Sequence, residues 1–183
     1  MRTPAVLTLL VVCIWIGCRT DERPRVQPSQ SVRPTDAKDS PTVVPLDQAA
    51  LQKLIRERNG RILFLNVWAT WCAPCVEEFP DLVRLSKAYQ GNEVEVVGIS
   101  ADYPDEIESK ILPFVKKHDV PFRIYVAKFD HQEDFINSLN TTWSGALPAS
   151  LIYDVHGNQR YFRAGQGTFD QFRKELEKVR GKP

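Results

Sequence analysis

The sequence predicts an α/β fold in which helices flank a central mixed β-sheet. Short, continuous apolar runs alternate with longer segments of helical periodicity, and such runs are typical of strands buried on both faces. After this alternation, two short runs flank His156-Gly157-Asn158, and a last amphipathic segment follows. This order predicts a hairpin and a closing helix added to a sheet of alternating strands and helices.

The composition is that of an ordinary soluble globular protein. The chain has 183 residues, of which 43% are hydrophobic and 26% are charged, and this length suits roughly one domain. Lys and Arg number 24 and Asp and Glu number 23, so the net charge is +1. Because nucleic-acid binding needs a concentrated positive surface, this balance argues against a nucleic-acid partner.

The first 18 residues predict a secretory signal peptide. Arg2 precedes an apolar run from Ala5 to Ile16, which is shorter than the roughly 20 residues that a membrane-spanning helix needs. A buried N-terminal core helix is the alternative. The run ends in Trp15-Ile16-Gly17-Cys18, which resembles a bacterial lipobox, although Trp15 departs from the usual Leu or Val. The resemblance implies lipid attachment at Cys18, with plain cleavage or an uncleaved anchor as alternatives.

Residues 19–45 predict a disordered tether. They combine mixed charges with few large apolar side chains and five prolines, at positions 24, 28, 34, 41 and 45. Such a segment cannot bury enough surface to fold. As a flexible coil it would span roughly 30 Å. The folded domain is therefore predicted to cover residues 46–183, attached to the membrane through the N-terminal anchor.

The elements of this domain follow from periodicity and from start and stop residues. Residues 46–60 form an amphipathic helix that ends at Gly60. The segment 104–118 is helical with a kink at Pro113, and Thr168 caps the closing helix 168–180. The remaining predicted helices are 76–89 and 130–140, and the predicted strands are 61–68, 93–100, 122–127, 147–153 and 159–163.

The segment Trp71-Cys72-Ala73-Pro74-Cys75 carries the clearest chemical signal. It follows a buried strand and opens a helix, so a Cys72 thiolate would face free backbone N–H groups and the positive end of the helix dipole. This position lowers the thiol pKa. Pro74 suits a helix start, and the two-residue spacer lets Cys75 resolve a mixed disulfide formed on Cys72.

Two other uses of a cysteine pair compete with this interpretation. A structural disulfide across two residues closes a very small loop and stabilises little. A metal site needs further ligands, but Cys13 and Cys18 lie in the leader, and the three histidines are scattered without ligand spacing. We therefore predict no metal and no cofactor, and a copper carrier remains the alternative from a different functional class.

The run LFLNVWATWCAPCVEEFP, residues 63–80, resembles the active-site region of the thioredoxin superfamily. It is most similar to the TlpA-like branch of membrane-anchored thiol–disulfide oxidoreductases, which includes ResA-like and CcmG-like proteins. The run GALPASLIYDVHG, residues 145–157, resembles the proline loop that follows in that family. The resemblance covers roughly residues 46–180 and implies a thioredoxin-like three-layer sandwich.

The resemblance also implies roles for individual residues. Trp71 would shield the dithiol face, and Pro148 would form a cis peptide that turns the Leu147 backbone towards a substrate beside Cys72. Asn66 stands where cytoplasmic thioredoxins carry a buried, proton-shuttling Asp. Glu78 matches a glutamate near the cysteines that could accept a proton, and a solvated helix charge is its alternative.

The least similar segment lies between residues 102 and 143. Residues 130–140 are interpreted as a helical insertion of the branch. Trp143 either lines the face that meets partners or belongs to the ordinary core.

These observations predict an extracytoplasmic oxidoreductase that reduces disulfides in partner proteins through Cys72 and Cys75. Neither residue between the cysteines carries a cation to stabilise the thiolate further, so the pair is predicted to donate electrons. A membrane electron donor would then restore the dithiol. A disulfide-forming oxidant is the alternative enzyme, whereas a peroxidase is disfavoured because its single-cysteine motif is absent.

Overall fold

The computed structural model of the chain describes residues 42–91 and 93–181. The predicted leader, the lipobox and most of the tether lie outside the described residues. Within them, a six-stranded mixed sheet carries helices on both faces, which confirms the predicted thioredoxin-like α/β fold.

Eleven regular elements build the described part of this fold. The strands are β1 (Val43–Leu46), β2 (Ile62–Trp68), β3 (Val94–Ser100), β4 (Arg123–Ala127), β5 (Ala149–Tyr153) and β6 (Gln159–Ala164). The α-helices are α1 (Gln48–Arg56), α2 (Ala73–Ala88), α3 (Leu112–Lys117), α4 (Gln132–Leu139) and α5 (Phe169–Val179).

The sheet has the order β1-β4-β3-β2-β5-β6. The pairs β1–β4, β4–β3 and β3–β2 are parallel, while β5 runs antiparallel to β2 and β6 antiparallel to β5. All seven residues of β2 are buried, because the strand is central and covered on both faces. This burial explains the continuous apolar run of β2. The carboxyl end of β2, which α2 follows, lies at the end of the sheet where the parallel strands finish.

The start of the folded domain differs from the prediction. The sequence prediction places residues 43–46 partly in the tether and partly in a helix, but they form β1, the edge strand that pairs with β4. The helix α1 begins after Asp47, whose side chain accepts a hydrogen bond from the Ala50 N–H at 2.8 Å. A strand of four residues gives little periodic signal of its own, and its formation depends on pairing with β4, which is distant in the sequence.

The predicted helix at 104–118 consists of three consecutive helical segments of different types. A 3₁₀ turn at Pro104–Glu106 leads into a π-helical turn at Ile107–Ile111 and then into α3. Pro113 has no N–H to donate, and the preceding Leu112 N–H reaches back to the Ile107 carbonyl. The helix is therefore irregular near Pro113, as predicted, but the irregularity is a wide π-helical turn before the proline instead of a kink at it.

Two apolar layers cover the sheet. One packs α2, α3 and α5 against one face, and the other packs α1 and α4 against the opposite face. Trp68 at the end of β2 meets Phe79 of α2 at 4.6 Å between ring centroids, and Phe79 meets Phe114 of α3 at 4.8 Å. This aromatic cluster fixes the first turns of α2 on the sheet.

Candidate active site

The two cysteines lie at the amino end of α2. Cys72 is the N-cap residue, Cys75 is in the first turn, and a disulfide joins them with their Cα atoms 5.2 Å apart. The Cys72 Sγ accepts a hydrogen bond from the Cys75 N–H at 3.3 Å. Pro74 falls in the first turn, where its missing N–H removes no intrahelical hydrogen bond.

The two sulfur-bearing residues differ in accessibility. Cys72 is 6% exposed, Cys75 is fully buried, and the neighbouring Trp71 is 65% exposed. A partner that approaches the amino end of α2 therefore meets Cys72 before Cys75. When the pair is reduced, a Cys72 thiolate would keep the N-cap position, where backbone N–H groups and the helix dipole favour negative charge.

Glu78 is buried one helical turn beyond Cys75. The side chain is only 1% exposed, so the alternative of a solvated helix charge is excluded. Its Oε1 accepts a hydrogen bond from Asn66 Nδ2 at 2.7 Å, and its Oε2 accepts one from the Gly167 N–H at 2.8 Å. Burial raises the pKa of Glu78 to about 7, although both hydrogen bonds act to lower it.

Asn66 links Glu78 to the neighbouring strand. It lies on β2 directly opposite Ser150 of β5, and its Nδ2 also donates to Ser150 Oγ at 3.1 Å. Both side chains are 1% exposed. The structure thus brings the predicted residues Asn66 and Glu78 into direct contact.

The proline loop precedes β5. The Leu147–Pro148 peptide is cis, as predicted, and the Pro148 carbonyl accepts a hydrogen bond from the Gly165 N–H at 2.7 Å. Trp143 is 5% exposed and its Nε1 donates to the Ala146 carbonyl at 2.9 Å. The buried Trp143 therefore supports the backbone of this loop.

A groove of about 620 Å³ lies beside Trp71. Its walls include two strongly exposed aromatic residues, Trp71 and Tyr103, which is 72% exposed. Phe129, Trp143 and Leu147 also line it. Trp143 thus belongs to the core, as one of the two expectations has it, and also lines the groove; that partners meet this face stays a prediction.

Four residues of this region were not singled out by the sequence. Asp102 is 2% exposed and accepts hydrogen bonds from the Thr70 N–H and Oγ1, so it ties the segment before Cys72 to the loop after β3. The groove is lined in part by Tyr103. The environment of Glu78 includes Gly167, which donates its N–H to the carboxylate, and Ser150, which accepts a hydrogen bond from Asn66. None belongs to a motif, because their roles depend on contacts between distant segments.

Within residues 42–91 and 93–181, no group of three or more His, Cys, Asp or Glu side chains could hold a metal ion. No helix in the same ranges is long and apolar enough to cross a membrane.

Comparisons with known proteins agree with this geometry. A sequence profile described as the AhpC/TSA family matches residues 38–162. The chain is 30% identical over 142 residues to a thiol-disulfide oxidoreductase ResA of Bacillus cereus, covering 78% of this chain and 77% of the relative. It is 26% identical over 141 residues to ResA of Geobacillus kaustophilus, covering 77% and 76%.

Solved structures show the same fold. A thioredoxin-related protein from Neisseria meningitidis serogroup B is similar with a TM-score of 0.57 and 25% identity, covering 67% of this chain and 87% of that one. A thiol:disulfide interchange protein from Chlorobium tepidum TLS also gives a TM-score of 0.57, with 22% identity and coverage of 67% and 81%.

Proposed function

The chain belongs to the AhpC/TSA family of the thioredoxin superfamily and is a thiol–disulfide oxidoreductase of the ResA type, and on this premise we propose that it reduces disulfides in partner proteins. In this proposal Cys72 is the nucleophile and Cys75 is the resolving thiol. The observation that carries it is that Cys72, at the N-cap of α2, is the more exposed of the two cysteines, at 6% against 0% for Cys75.

The reaction exchanges one disulfide for another. The Cys72 thiolate attacks a sulfur of the partner's disulfide, which forms a mixed disulfide and releases one partner thiolate. Cys75, once deprotonated, attacks the Cys72 sulfur and releases the second partner sulfur. The partner gains two electrons and two protons, and the Cys72–Cys75 disulfide described above is the product.

Glu78 is proposed as the base that takes the Cys75 proton. A base near neutral pKa is best suited to this transfer, and burial places the pKa of Glu78 at about 7. Glu78 and Cys75 are three residues apart, so they lie on the same side of α2. Glu78 would return the proton when the disulfide is reduced again.

The groove beside Trp71 is proposed to hold the segment that flanks the partner's cysteine. Its exposed aromatic rings, Trp71 and Tyr103, offer apolar contact area next to Cys72. Leu147 of the proline loop also borders the groove, and in this proposal its backbone contacts an extended partner segment.

The chain is proposed to work outside the cytoplasmic membrane. The leader and the lipobox at Cys18 support export and lipid attachment, and the part of the tether that precedes β1 would hold the folded domain away from the lipid surface. Because soluble cytoplasmic reductants do not reach this compartment, a membrane electron donor would have to reduce Cys72–Cys75 again.

The proposed direction of electron flow rests on local charge. Ala73 and Pro74 carry no cation, and a Glu78 carboxylate opposes a second negative charge nearby. The reduced form is therefore not strongly stabilised, and such pairs donate electrons. A disulfide-forming oxidant would need the opposite balance.

Trapping the partner tests the proposal. Cys75→Ser leaves Cys72 able to attack but removes the resolving thiol, so the full chain should accumulate mixed disulfides with partner proteins, visible on non-reducing gels and identified by mass spectrometry. The matched control is the double variant Cys72→Ser, Cys75→Ser, which should trap nothing. Equal amounts of adduct in both variants would contradict the assignment of Cys72, and stoichiometric copper without adducts would favour the carrier.

A further inference from the structure

The buried amide of Asn66 uses only one of its two ends for hydrogen bonds to the described residues. Its Nδ2 donates to Glu78 Oε1 and to Ser150 Oγ, whereas its buried Oδ1 accepts no hydrogen bond from residues 42–91 or 93–181. The arrangement is therefore complementary to a Glu78 carboxylate, but it leaves the amide oxygen unused.

A rotation of the amide by half a turn gives Glu78 and Ser150 a different hydrogen-bond partner, while the NH2 group moves to the position that Oδ1 holds in the structure. The rotation exchanges Oδ1 and Nδ2, so the oxygen then lies between Glu78 and Ser150. A protonated Glu78 and the Ser150 hydroxyl can each donate an O–H to that oxygen. In the unrotated arrangement Ser150 Oγ accepts a hydrogen bond from Asn66, so the rotation reverses both hydrogen bonds.

We propose that Asn66 is a reversible positioning residue for Glu78: its amide donates to the carboxylate and, after rotation, accepts from the carboxylic acid, with Ser150 as the second partner in both states. This inference rests on the proposed function, in which Glu78 takes the proton of Cys75. Both Glu78 oxygens accept from N–H groups in the observed arrangement. The rotation therefore supplies the acceptor that an arriving proton on Glu78 requires.

The charges around Glu78 come from several elements. Asp81 on the same helix raises its pKa, while Arg163 on β6 lowers it. The Gly167 N–H approaches from the segment before α5, and Cys75 is uncharged in the disulfide. From β2 and β5, Asn66 and Ser150 contribute only neutral groups. An amide that rotates changes its hydrogen bonds without adding a charge to this set.

Nuclear magnetic resonance of the disulfide form of the full chain, labelled with ¹⁵N-asparagine, tests the proposal. At about pH 9 the Asn66 side-chain amide protons should show a nuclear Overhauser effect to the Ser150 β-protons. Towards about pH 5 that signal should fall several-fold, with the same midpoint as the Glu78 carboxyl carbon. A signal that stays constant while Glu78 titrates would overturn the proposal.

Glu78→Gln is the matched control, because its side chain keeps the shape but has no proton to lose. In this variant the Asn66 signal should not depend on pH, and a retained pH dependence would assign the change to another group. If the variant does not fold, the titration of the unmodified chain decides alone. Unchanged turnover in a folded Glu78→Gln variant would instead overturn the role of Glu78 as base, which is a separate failure.

Discussion

The proton affinity of Glu78 is the property on which the chemistry of this site most depends. The carboxyl is 1% exposed and its pKa is raised to about 7, because burial penalises the charged form more than two N–H donors favour it. A group that is half ionised near neutral pH can both take and return a proton during one catalytic cycle.

The raised pKa of Glu78 makes the stability of the fold depend on pH. A carboxyl with a raised pKa in the folded state binds a proton more tightly there than in the unfolded chain, so its contribution is present at low pH and is lost as the pH rises towards 7. Relative to Glu78→Gln, the unfolding free energy of the unmodified chain should fall by roughly 3 kcal/mol between about pH 4 and pH 8.

Urea denaturation of both chains across this range measures the difference. The exposed neighbour Glu77 supplies the control, since Glu77→Gln should follow the unmodified chain. Turnover of a protein disulfide should also fall by roughly 10²-fold in Glu78→Gln if the carboxyl is the base. Parallel stability curves for Glu78→Gln and the unmodified chain would show that Glu78 does not titrate near neutrality.

A second prediction concerns Tyr103 in the groove. Its ring is 72% exposed, and Tyr103→Ala should remove contact with a protein partner and raise the KM for a protein disulfide by roughly 2–10-fold. The rate with a small disulfide such as oxidised glutathione should not change. Val155, which is 38% exposed, is the control for removing an exposed apolar side chain, and Val155→Ala should leave both values unaltered. Equal effects of the two variants would contradict the proposal that the groove binds the partner protein.

At the scale of elements, the segment between β6 and α5 holds part of the acid–base site. Gly167 donates its N–H to Glu78, and a Cβ atom at this position would lie 2.4 Å from ring carbons of Phe172. Phe172 is fully buried and packs edge-on against Phe64 at 5.1 Å, so a Cβ at residue 167 would displace a ring of the core. Glycine is required here by this close approach.

Gly167→Ala should therefore destabilise the fold by roughly 1–3 kcal/mol and raise the pKa of Glu78 further, because the backbone N–H is displaced from its carboxylate. Urea denaturation and ¹³C titration of the Glu78 carboxyl measure the two effects. Gln166→Ala changes the adjacent exposed residue and should alter neither. A Gly167→Ala variant with normal stability and an unshifted carboxyl would contradict the contact.

Elements differ in how far the sequence could predict them. The buried strands β2 and β3 and the helix α2 carry strong local patterns and were predicted within a few residues. The strand β1 was missed because its pairing depends on β4, which lies about 80 residues away. The sequence likewise left undecided whether Glu78 is buried or solvated, because its partners Asn66 and Gly167 are 12 and 89 residues away along the chain. The local pattern was sufficient to predict the cysteine pair, whereas the hydrogen bonds of Glu78 depend on contacts between distant segments.

At the scale of the whole molecule, the proposal joins a folded dithiol domain to a membrane anchor through the tether. The fold is confirmed, whereas lipid attachment at Cys18 is a prediction from the leader. Cys18→Ala should release the chain from the membrane fraction or block its processing, and Cys13→Ala, a change of the other leader cysteine, should leave both unaffected. Mass spectrometry of the mature chain checks this directly, and an unmodified N-terminus beyond Cys18 would refute the lipid anchor.

The central claim is that Cys72 and Cys75 form one redox couple that donates electrons. Equilibrating the full chain with glutathione buffers of known potential, followed by thiol counting and mass spectrometry, measures it most directly. We expect a single two-electron transition near the thioredoxin value of about −270 mV, far from the value of about −120 mV that is typical of strong oxidants. A potential near the oxidising value would make the protein a disulfide donor, and a pair that does not exchange with glutathione would contradict the redox function itself.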